Sequence, residues 1–266
     1  MTALAVQHLF KSYSGKPAVR DLSFSVEPGE MLGLIGPNGA GKSSTIKMIL
    51  DFMRPDSGEI EILGGSMTEA TKDRIGYLPE EKGLYKQLPA LDQILYLASL
   101  KGMPKDAASK RAHELLERTG MLESKKKKIK EMSKGMGQMI QLIVTLVHDP
   151  DLILLDEPFS GLDPVNTELL KDIVGELRDQ GKAIILSTHQ MNQVEERGDR
   201  VLMINHGSAV LYGEMQDIRL RFRKKTLMVN VDGDLPAVPG VVETYPHRDA
   251  IELVLEPDTT PQLVLD

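Results

Sequence analysis

Two acidic residues follow a short apolar run at residues 152–155. The run predicts a buried strand, and Asp156 and Glu157 then stand as two carboxylates at its carboxyl end. Adjacent buried charges are costly unless something compensates them, and Mg²⁺ bound to a phosphate does so well. The alternative interpretation is a hydrophobic strand that ends in a solvated acidic turn.

A glycine-rich segment earlier in the chain provides a matching phosphate site. It follows the apolar run 31–35 and precedes the helical pattern 44–50, which completes the arrangement of strand, G-x-x-x-x-G-K-[ST] and helix. Its glycines let backbone N–H groups point at phosphate oxygens, and the start of the helix adds a positive dipole end. The residues expected to contact the nucleotide are Gly36, Pro37, Asn38, Gly39, Ala40, Gly41, Lys42, Ser43 and Ser44.

Two side chains of this segment have specific roles in the hypothesis. Lys42 would reach the β- and γ-phosphates, and we expect it to face solvent in the loop. The hydroxyl of Ser43 would bind Mg²⁺ alongside Asp156. A glycine-rich loop alone often marks a plain turn, but the full spacing together with the Asp-Glu strand favours nucleotide binding. We therefore predict that the chain binds a nucleoside triphosphate with Mg²⁺.

The composition limits the class of protein. The 266 residues suffice for one large α/β domain with a small appendage. A net charge of −7 gives no overall electrostatic footprint for nucleic acid, so we expect no nucleic-acid partner. No apolar run approaches the roughly 18–20 residues that span a bilayer, and no signal-peptide pattern follows Met1. The absence of cysteine excludes a disulfide scaffold and thiolate metal sites.

Hydrophobic periodicity predicts alternating strands and helices around these motifs. Strands are expected at 3–10, 22–26, 31–35, 59–63, 152–155, 183–187, 201–205 and 208–212, the last two as a hairpin. Helices are expected at 44–50, 92–100, 107–118, 136–147, 164–179 and 191–197. The lysine run 125–128 is interpreted as a solvated loop between helices, with a phosphate or lipid contact as the alternative.

The segment 132–136, which reads MSKGM, makes the chain similar to the ATP-binding subunits of ABC transporters. This segment resembles the family signature, usually LSGGQ, with Ser133 and Gly135 retained. The resemblance covers about residues 3–215, and its motifs are in the family's order. The other matching segments are 36–43 (Walker A), 152–157 (Walker B) and 160–163 (D-loop). The form SKGM, with the string 75–81, looks most like the exporter-type branch that includes sodium- and antibiotic-extruding systems.

The resemblance implies roles for further residues. Tyr13 would stack on adenine, although alone it would be a strand-end aromatic residue. His189 would be the switch histidine at the γ-phosphate, although alone it would more often be a satisfied core histidine. Glu157 would be the general base. Glu80 stands where the family usually has Gln, and it could bind Mg²⁺ or hold water. Met136 replaces the last Gln of the signature, and Gln138 follows as a possible substitute.

The resemblance also implies the fold and the assembly. We expect an α/β P-loop NTPase at 1–215, with a RecA-like core sheet and an inserted helical subdomain at about 85–150. Ser133 and Gly135, with Asp163 of the D-loop, would face the nucleotide held by a second ATPase subunit, so that two ATP molecules join a homodimer. A separate polytopic membrane permease would dock near 78–88. The chain would then lie at the cytoplasmic face of the membrane and power an exporter.

The tail at 216–266 departs from this pattern and predicts a small α+β appendage. Segments 227–231 and 251–255 alternate apolar and polar residues, as in two half-buried strands. Thr260 and Pro261 would open a helix that stops at Asp266. A helix that short is not stable alone, so either the native chain is longer or this end is frayed.

Other classes of ATPase share some of these motifs. A DNA-repair or chromosome-organising ATPase needs a long coiled coil before the signature, and sustained heptads are absent there. A ribosome-acting ABC protein is expected to carry two tandem ATPase units, and this chain has one Walker A loop. A small-molecule phosphotransferase would not need Ser133 or the D-loop. A soluble ABC-type ATPase that acts on a ribosome or a nucleic-acid machine is the alternative function.

Overall fold

The computed structural model describes residues 2–81, 83–222, 225–230, 238–247, 250–256 and 259. The chain divides into two compact units, Met1–Met215 and Gln216–Asp266. Among the described residues, no helix is both long and apolar enough to cross a membrane.

The first unit contains nine strands and seven complete helices among the residues described. Its strands are β1 (Leu4–Tyr13), β2 (Lys16–Val26), β3 (Met31–Ile35), β4 (Ser57–Ile62), β5 (Ile75–Leu78), β6 (Leu152–Asp156), β7 (Ala183–Thr188), β8 (Arg200–Asn205) and β9 (Ser208–Glu214). Its helices are α1 (Lys42–Ile49), α2 (Glu69–Lys72), α3 (Ala90–Leu100), α4 (Lys105–Arg118), α5 (Lys134–Leu146), α6 (Pro164–Asp179) and α7 (Asn192–Glu195). Helix α8 (Met215–Phe222) begins at the unit boundary.

The central sheet has the strand order β5-β6-β7-β3-β8-β9. All neighbouring strands are parallel except the edge pair β8–β9. Every residue of β3, β6 and β7 is buried, which is why these strands are continuous apolar runs in the sequence. This is the α/β P-loop fold with a parallel core sheet that the sequence predicts.

A second sheet in this unit is antiparallel, with the order β2-β1-β4. Its hairpin between β1 and β2 turns at Ser14 and Gly15, both with positive φ. Because the two strands pair up to this turn, β1 runs on to Tyr13 and β2 begins at Lys16. Both strands are longer than the predicted 3–10 and 22–26, since their exposed residues lack a regular hydrophobic pattern.

Helices α3, α4 and α5 form the helical subdomain between β5 and β6. Their packing buries alanine and leucine side chains, including Ala98, Ala112 and Leu116. The three helices confirm the predicted ones to within two residues at each end. One polar residue, Gln93 of α3, is fully buried among these apolar groups.

The second unit contains an antiparallel sheet with the order β10-β12-β11. Strands β10 (Lys225–Val229), β11 (Val241–Pro246) and β12 (Ile251–Leu255) compose it. The predicted strand 251–255 is confirmed, and the predicted strand 227–231 begins two residues earlier, with residue 231 outside the described residues. Strand β11 was not predicted because its residues are mostly exposed and do not alternate. The predicted helix at Thr260 and Pro261 lies outside the described residues.

Candidate active site

The topology brings the predicted site segments to one edge of the central sheet. Strands β6, β7 and β3 are adjacent, and β5 pairs with β6 on its other side. In parallel strands the carboxyl ends meet at the same edge, where α/β proteins bind ligands. The phosphate loop after β3, the carboxylates at the end of β6, His189 after β7 and Glu80 after β5 therefore share that edge.

The phosphate loop surrounds a cavity of about 300 Å³ at this edge. Gly41 immediately precedes α1 with φ 112°, and a Cβ there would lie 2.5 Å from the carbonyl oxygen of Ala18. Only glycine fits this backbone conformation and this close approach. The cavity is lined by Ala18, Asn38, Gly39, Ala40, Gly41, Lys42, Ser43, Ser44, Glu80, Asp156 and Glu157. Loop amides, the N-terminus of α1 and three carboxylates thus face one space.

Lys42 is buried in this cavity, with 6% of its surface exposed. Its Nζ donates hydrogen bonds to the carbonyl oxygens of Gly36 at 2.7 Å and Pro37 at 3.4 Å. It also lies 3.7 Å from Oε1 of Glu157. The expectation that Lys42 faces solvent is therefore wrong, because the loop carbonyls and the β6 carboxylate draw the ammonium group inward.

The two adjacent carboxylates have different environments. Asp156 is buried, and its Oδ1 accepts a 2.6 Å hydrogen bond from Ser187 Oγ on β7. Glu157 has a left-handed backbone with φ 48°, which is uncommon for a residue other than glycine. Its amide donates to Ser187 O at 3.0 Å, so the turn is fixed against β7. Such backbone strain concentrates at functional sites.

His189 contacts the general-base candidate directly. Its Nδ1 lies 3.0 Å from both Oε1 and Oε2 of Glu157. Its Nε2 lies 3.3 Å from Nε2 of Gln190, which is a donor. Because an amide nitrogen only donates, Nε2 of His189 is the acceptor in this contact, and Nδ1 is the nitrogen that donates to Glu157. His189 thus orients the Glu157 carboxylate.

The segment that follows His189 is packed against β3. Helix α7 places Val194 over Gly33, and a Cβ at Gly33 would lie 2.3 Å from Val194 Cγ1. Ion pairs to α6 hold the far end, with Lys171 Nζ 3.1 Å from Glu196 Oε2. The helix is shorter than the predicted 191–197, since the chain turns at Gly198, where added side-chain atoms would also meet Val194.

Glu80 is exposed but lines the same cavity as Asp156. Burial raises the pKa of the nearby Tyr77 to about 12, and the charges of Asp156 and Glu80 raise it further. The backbone on either side of Glu80 is held by Gln141 of α5, whose Nε2 donates to Pro79 O at 3.0 Å and Glu81 O at 3.3 Å.

The residues predicted to bind Mg²⁺ supply suitable donors. Ser43, Asp156 and Glu80 contribute a hydroxyl and two carboxylates to one cavity, and Mg²⁺ prefers such hard oxygen ligands. Since Oδ1 of Asp156 accepts from Ser187, the other carboxylate oxygen can serve a cation. Among the described residues there is no cluster of three or more His, Cys, Asp or Glu side chains that could hold a metal. The donor set therefore suits a cation that also binds phosphate oxygens.

Tyr13 lies next to the phosphate loop, with 42% of its surface exposed. Its hydroxyl donates to Met53 Sδ at 2.8 Å and lies 3.4 Å from Ser44 Oγ. The strand end is fixed by Asp56, which accepts hydrogen bonds from Lys11 Nζ and from the Ser12 amide, both at 2.7 Å. These hydrogen bonds, led by that from Lys11, lower the pKa of Asp56 to about 2. An exposed ring in this position can stack on a base.

Ser133, Gly135 and Asp163 do not line this cavity. Ser133 caps α5, with its Oγ accepting from Met136 N–H at 3.2 Å, and Asp163 caps α6 through Asn166 N–H at 3.0 Å. This bond from Asn166 lowers the pKa of Asp163. A Cβ at Gly135 would lie 3.2 Å from Gly161 O, so the signature and the D-loop are neighbours. They form a surface separate from the chain's own phosphate loop.

Gln138 cannot replace the missing glutamine of the signature. The side chain is buried, with 2% of its surface exposed, and its Nε2 donates to Pro158 O at 3.1 Å. It therefore connects α5 to the segment after Glu157 and is not available to a ligand outside the chain.

Three residues near the site were not singled out from the sequence: Ser187, Gln141 and Asp56. Ser187 and Gln141 had a visible signal, because each is a polar residue within an apolar run or helix face. Asp56 lies in a Pro-Asp-Ser-Gly turn, where its type is ordinary. Only the tertiary structure shows that this carboxylate holds β1.

Comparison with known proteins gives consistent matches. The family model described as "ABC transporter" matches residues 19–160. The chain is 39% identical to the uncharacterized ABC transporter ATP-binding protein YhaQ of Bacillus subtilis (strain 168), over 94% of this chain and 85% of that protein. It is 36% identical to the linearmycin resistance ATP-binding protein LnrL of the same organism, over 92% of this chain and 80% of that protein.

A solved structure agrees with the sequence matches. The structure of an ATP-binding subunit of an ABC transporter superposes with a TM-score of 0.78 and 32% sequence identity. The match covers 83% of this chain and 93% of that one.

Proposed function

Because this chain belongs to the ABC transporter family, as an ATP-binding subunit that hydrolyses ATP, we propose that it powers export through a separate polytopic membrane permease. The observation that carries the catalytic part is the contact series Lys42–Glu157–His189 beside Asp156. Lys42, the phosphate-binding cation, and Glu157, the carboxylate base, line one cavity, and His189 contacts and orients Glu157.

Different residues of the chain carry out the separate steps of ATP binding and hydrolysis. The phosphate-loop amides and Lys42 bind the β- and γ-phosphates, and the γ-phosphate takes the place of the Glu157 carboxylate beside the ammonium group. Glu157 then orients the attacking water and accepts its proton. His189 keeps that carboxylate in position through Nδ1. Tyr13 stacks on the adenine ring.

Ser43, Asp156 and Glu80 would hold Mg²⁺ in this proposal. When bound, the ion would offset the negative charge of the phosphate oxygens. Glu80 adds a carboxylate where a neutral side chain is usual, so its charge is compensated only when the metal is present. Turnover should therefore depend on Mg²⁺ concentration more steeply than with Gln at this position.

The second nucleotide contact is proposed to lie between two copies of the chain. Ser133 is exposed at the N-terminus of the thirteen-residue helix α5, and its hydroxyl proton remains available to a ligand. Hydroxyl and helix dipole together suit a phosphate. Since this surface is separate from the chain's own loop, the phosphate is best supplied by a second subunit, with Gly135 and Asp163 alongside. Two ATP molecules would then join a homodimer.

The permease is proposed to dock in an apolar groove of about 270 Å³. Its walls include the exposed side chains of Phe52 and Leu100 and the ring of Tyr77 on β5. Two basic residues, Lys72 and Lys101, lie at its lining. This chemistry suits a cytoplasmic helix with apolar and acidic side chains. The groove lies just before the predicted docking segment 78–88, at the strand that leads to Glu80.

Export and a location at the cytoplasmic face of the membrane belong to the same proposal. The relative LnrL is a linearmycin resistance protein, and removal of an antibiotic from the cell is one route to resistance. In this proposal the permease holds the chain at the membrane.

The dimer experiment tests the ATP-driven step. Glu157→Gln should bind MgATP and persist as a species of about 59 kDa, twice the 29.4 kDa of one chain, in size-exclusion chromatography with light scattering. Without nucleotide it should elute as a monomer. Adding Ser133→Arg to this variant should remove the dimer. Adding Ser66→Arg instead, which places the same side chain at another exposed serine, should leave the dimer intact. A dimer that survives Ser133→Arg refutes the contact between subunits.

A further inference from the structure

One face of α5, continued by His148 just after the helix, carries polar side chains that form hydrogen bonds with the backbone of other elements. Gln138 donates to Pro158 O, Gln141 to Pro79 O and Glu81 O, and Thr145 to Tyr77 O at 3.1 Å. His148 Nε2 lies 3.1 Å from Ile75 O. Three- and four-residue spacing puts these groups on one side of the helix. A helix packed on a sheet normally uses apolar side chains there.

Gln141 differs from the other members of this row in what it holds. The carbonyls of Pro79 and Glu81 belong to the residues immediately before and after Glu80, and both accept from its single amide group. The side chain is buried, with 3% of the residue exposed. The amide therefore fixes the backbone on both sides of a cavity-lining carboxylate.

The other half of this amide is unsatisfied. Gln141 Oε1 is buried and has no hydrogen-bond partner in the part of the chain that the structure describes. An unpaired buried acceptor is destabilising, so an apolar side chain of the same size would serve packing better. The advantage of glutamine here is its two-armed contact with the Glu80 loop.

We propose that Gln141 is a positioning residue that holds the Glu80 carboxylate at the metal-facing wall of the ATP cavity. This inference rests on the proposed Mg²⁺ role of Glu80. Because Ser133 caps the N-terminus of α5, the same helix carries the proposed contact to the second subunit at one end and the support of Glu80 near its middle. Movement of the signature would then be transmitted to Glu80.

The test compares Gln141→Met with Thr145→Val. Both substitutions keep the side-chain volume and remove one buried donor on the same helix face, but only Gln141 contacts the residues beside Glu80. Gln141→Met should raise the Mg²⁺ concentration for half-maximal ATPase activity and for ATP binding by calorimetry, each roughly tenfold, as is usual for support of a metal ligand. Thr145→Val should change neither value by more than about twofold.

A double-mutant cycle with Glu80→Ala separates positioning from general stability. In the Glu80→Ala background, Gln141→Met should have no further effect on the Mg²⁺ dependence of ATP binding. A shift of equal size in both backgrounds, or no shift in the single variant, overturns the proposal for Gln141. If Glu80→Ala itself leaves the Mg²⁺ dependence unchanged, the metal role of Glu80 fails instead. Binding by calorimetry keeps the test valid when turnover is lost.

Discussion

Nζ of Lys42 lies 3.7 Å from Oε1 of Glu157, so the phosphate-binding lysine and the general-base candidate form an ion pair within the chain. Both side chains are largely removed from solvent. Each compensates the other's charge, and in the proposed mechanism the γ-phosphate of ATP replaces the carboxylate as the partner of the ammonium group. Binding and catalysis are therefore linked through one contact.

Lys42→Ala should abolish detectable ATP binding and should also destabilise the protein. The phosphates lose their cation. The Gly36 carbonyl loses a buried hydrogen-bond donor, which costs about 1–3 kcal/mol, and the Glu157 carboxylate loses its opposite charge. Calorimetry with MgATP and urea denaturation measure the two effects. Lys47→Ala removes an exposed lysine from the same helix and should alter neither. Unchanged ATP affinity in Lys42→Ala would disprove the phosphate-loop assignment.

Glu157→Gln should slow hydrolysis by ~10² to 10⁴-fold, the usual contribution of a general base, while MgATP affinity is retained. The amide can still accept a hydrogen bond from His189, but it cannot take the proton of water. Single-turnover assays report the chemical step. His189→Ala should slow the same step without changing nucleotide affinity, since His189 contacts the base and does not line the cavity. Equal single-turnover rates for wild type and Glu157→Gln would exclude the base role.

Glu80→Gln should shift the Mg²⁺ dependence of ATP turnover with a melting temperature close to that of the wild type. The carboxylate is exposed, so its loss should not affect folding, but it lines the cavity beside Asp156. Glu81→Gln is the matched control, because this neighbouring glutamate is exposed and does not line the cavity. Identical kinetics for wild type and Glu80→Gln would mean that position 80 is not the metal-facing position.

The stability of the protein should fall on mild acidification in part because of His148. Burial lowers the pKa of His148 below its ordinary value, and its buried Nδ1 has no acceptor among the described residues. Above pH 6.5 the folded and unfolded states both hold the neutral ring, so the stability is complete. As pH falls below 6.5 towards the lowered folded-state pKa, only the unfolded state gains a proton, and stability decreases by at most about 1.4 kcal/mol per pH unit.

His148→Gln should reduce this pH dependence, because glutamine retains a donor for Ile75 O and does not titrate. Urea denaturation at pH 7.5 and 5.5 gives the comparison, with the wild type losing more stability than the variant. An equal loss in both proteins would show that His148 does not titrate differently in the folded state.

Gln93→Met should stabilise the protein. Gln93 is fully buried in the helical subdomain, and neither amide atom has a hydrogen-bond partner in the described ranges. Methionine has nearly the same shape and no polar atom to desolvate, so we expect a gain of about 1–3 kcal/mol. Each kcal/mol should raise the melting temperature by about 2–4 °C in calorimetry. Exposed Gln87→Met should have no effect, and a lower melting temperature for Gln93→Met would contradict the expectation.

The elements that the sequence predicted best are those whose local pattern and tertiary role agree. Strands β3, β6 and β7 are buried on both faces, and their short apolar runs in the sequence indicate this burial. The phosphate loop and the Asp-Glu pair follow from spacing alone, because the chemistry of phosphate binding requires it. The fold and the residues that gather at the strand ends could therefore be predicted before any coordinates.

The expectation that failed, that Lys42 faces solvent, concerns the direction of a side chain. Lys42 turns inward because Glu157, from a distant segment, and the loop carbonyl of Gly36 meet at one point. Gln138 turns inward because Pro158 O lies opposite it on another element. A local pattern carries no information about such partners. The contact between Gln141 and the backbone around Glu80 could not be predicted either, because the two segments are distant in the sequence.

The contact between Gly33 and Val194 has a consequence for variation in this protein. A hydrogen atom is the largest substituent that β3 tolerates at this point, since the next larger one would lie 2.3 Å from the valine methyl group. Alanine at position 33 would act as a wedge under α7 and tilt the segment that begins at His189. A methyl group at a strand position that does not line the nucleotide cavity would thus separate the histidine from its carboxylate, and the protein would bind ATP without hydrolysing it efficiently.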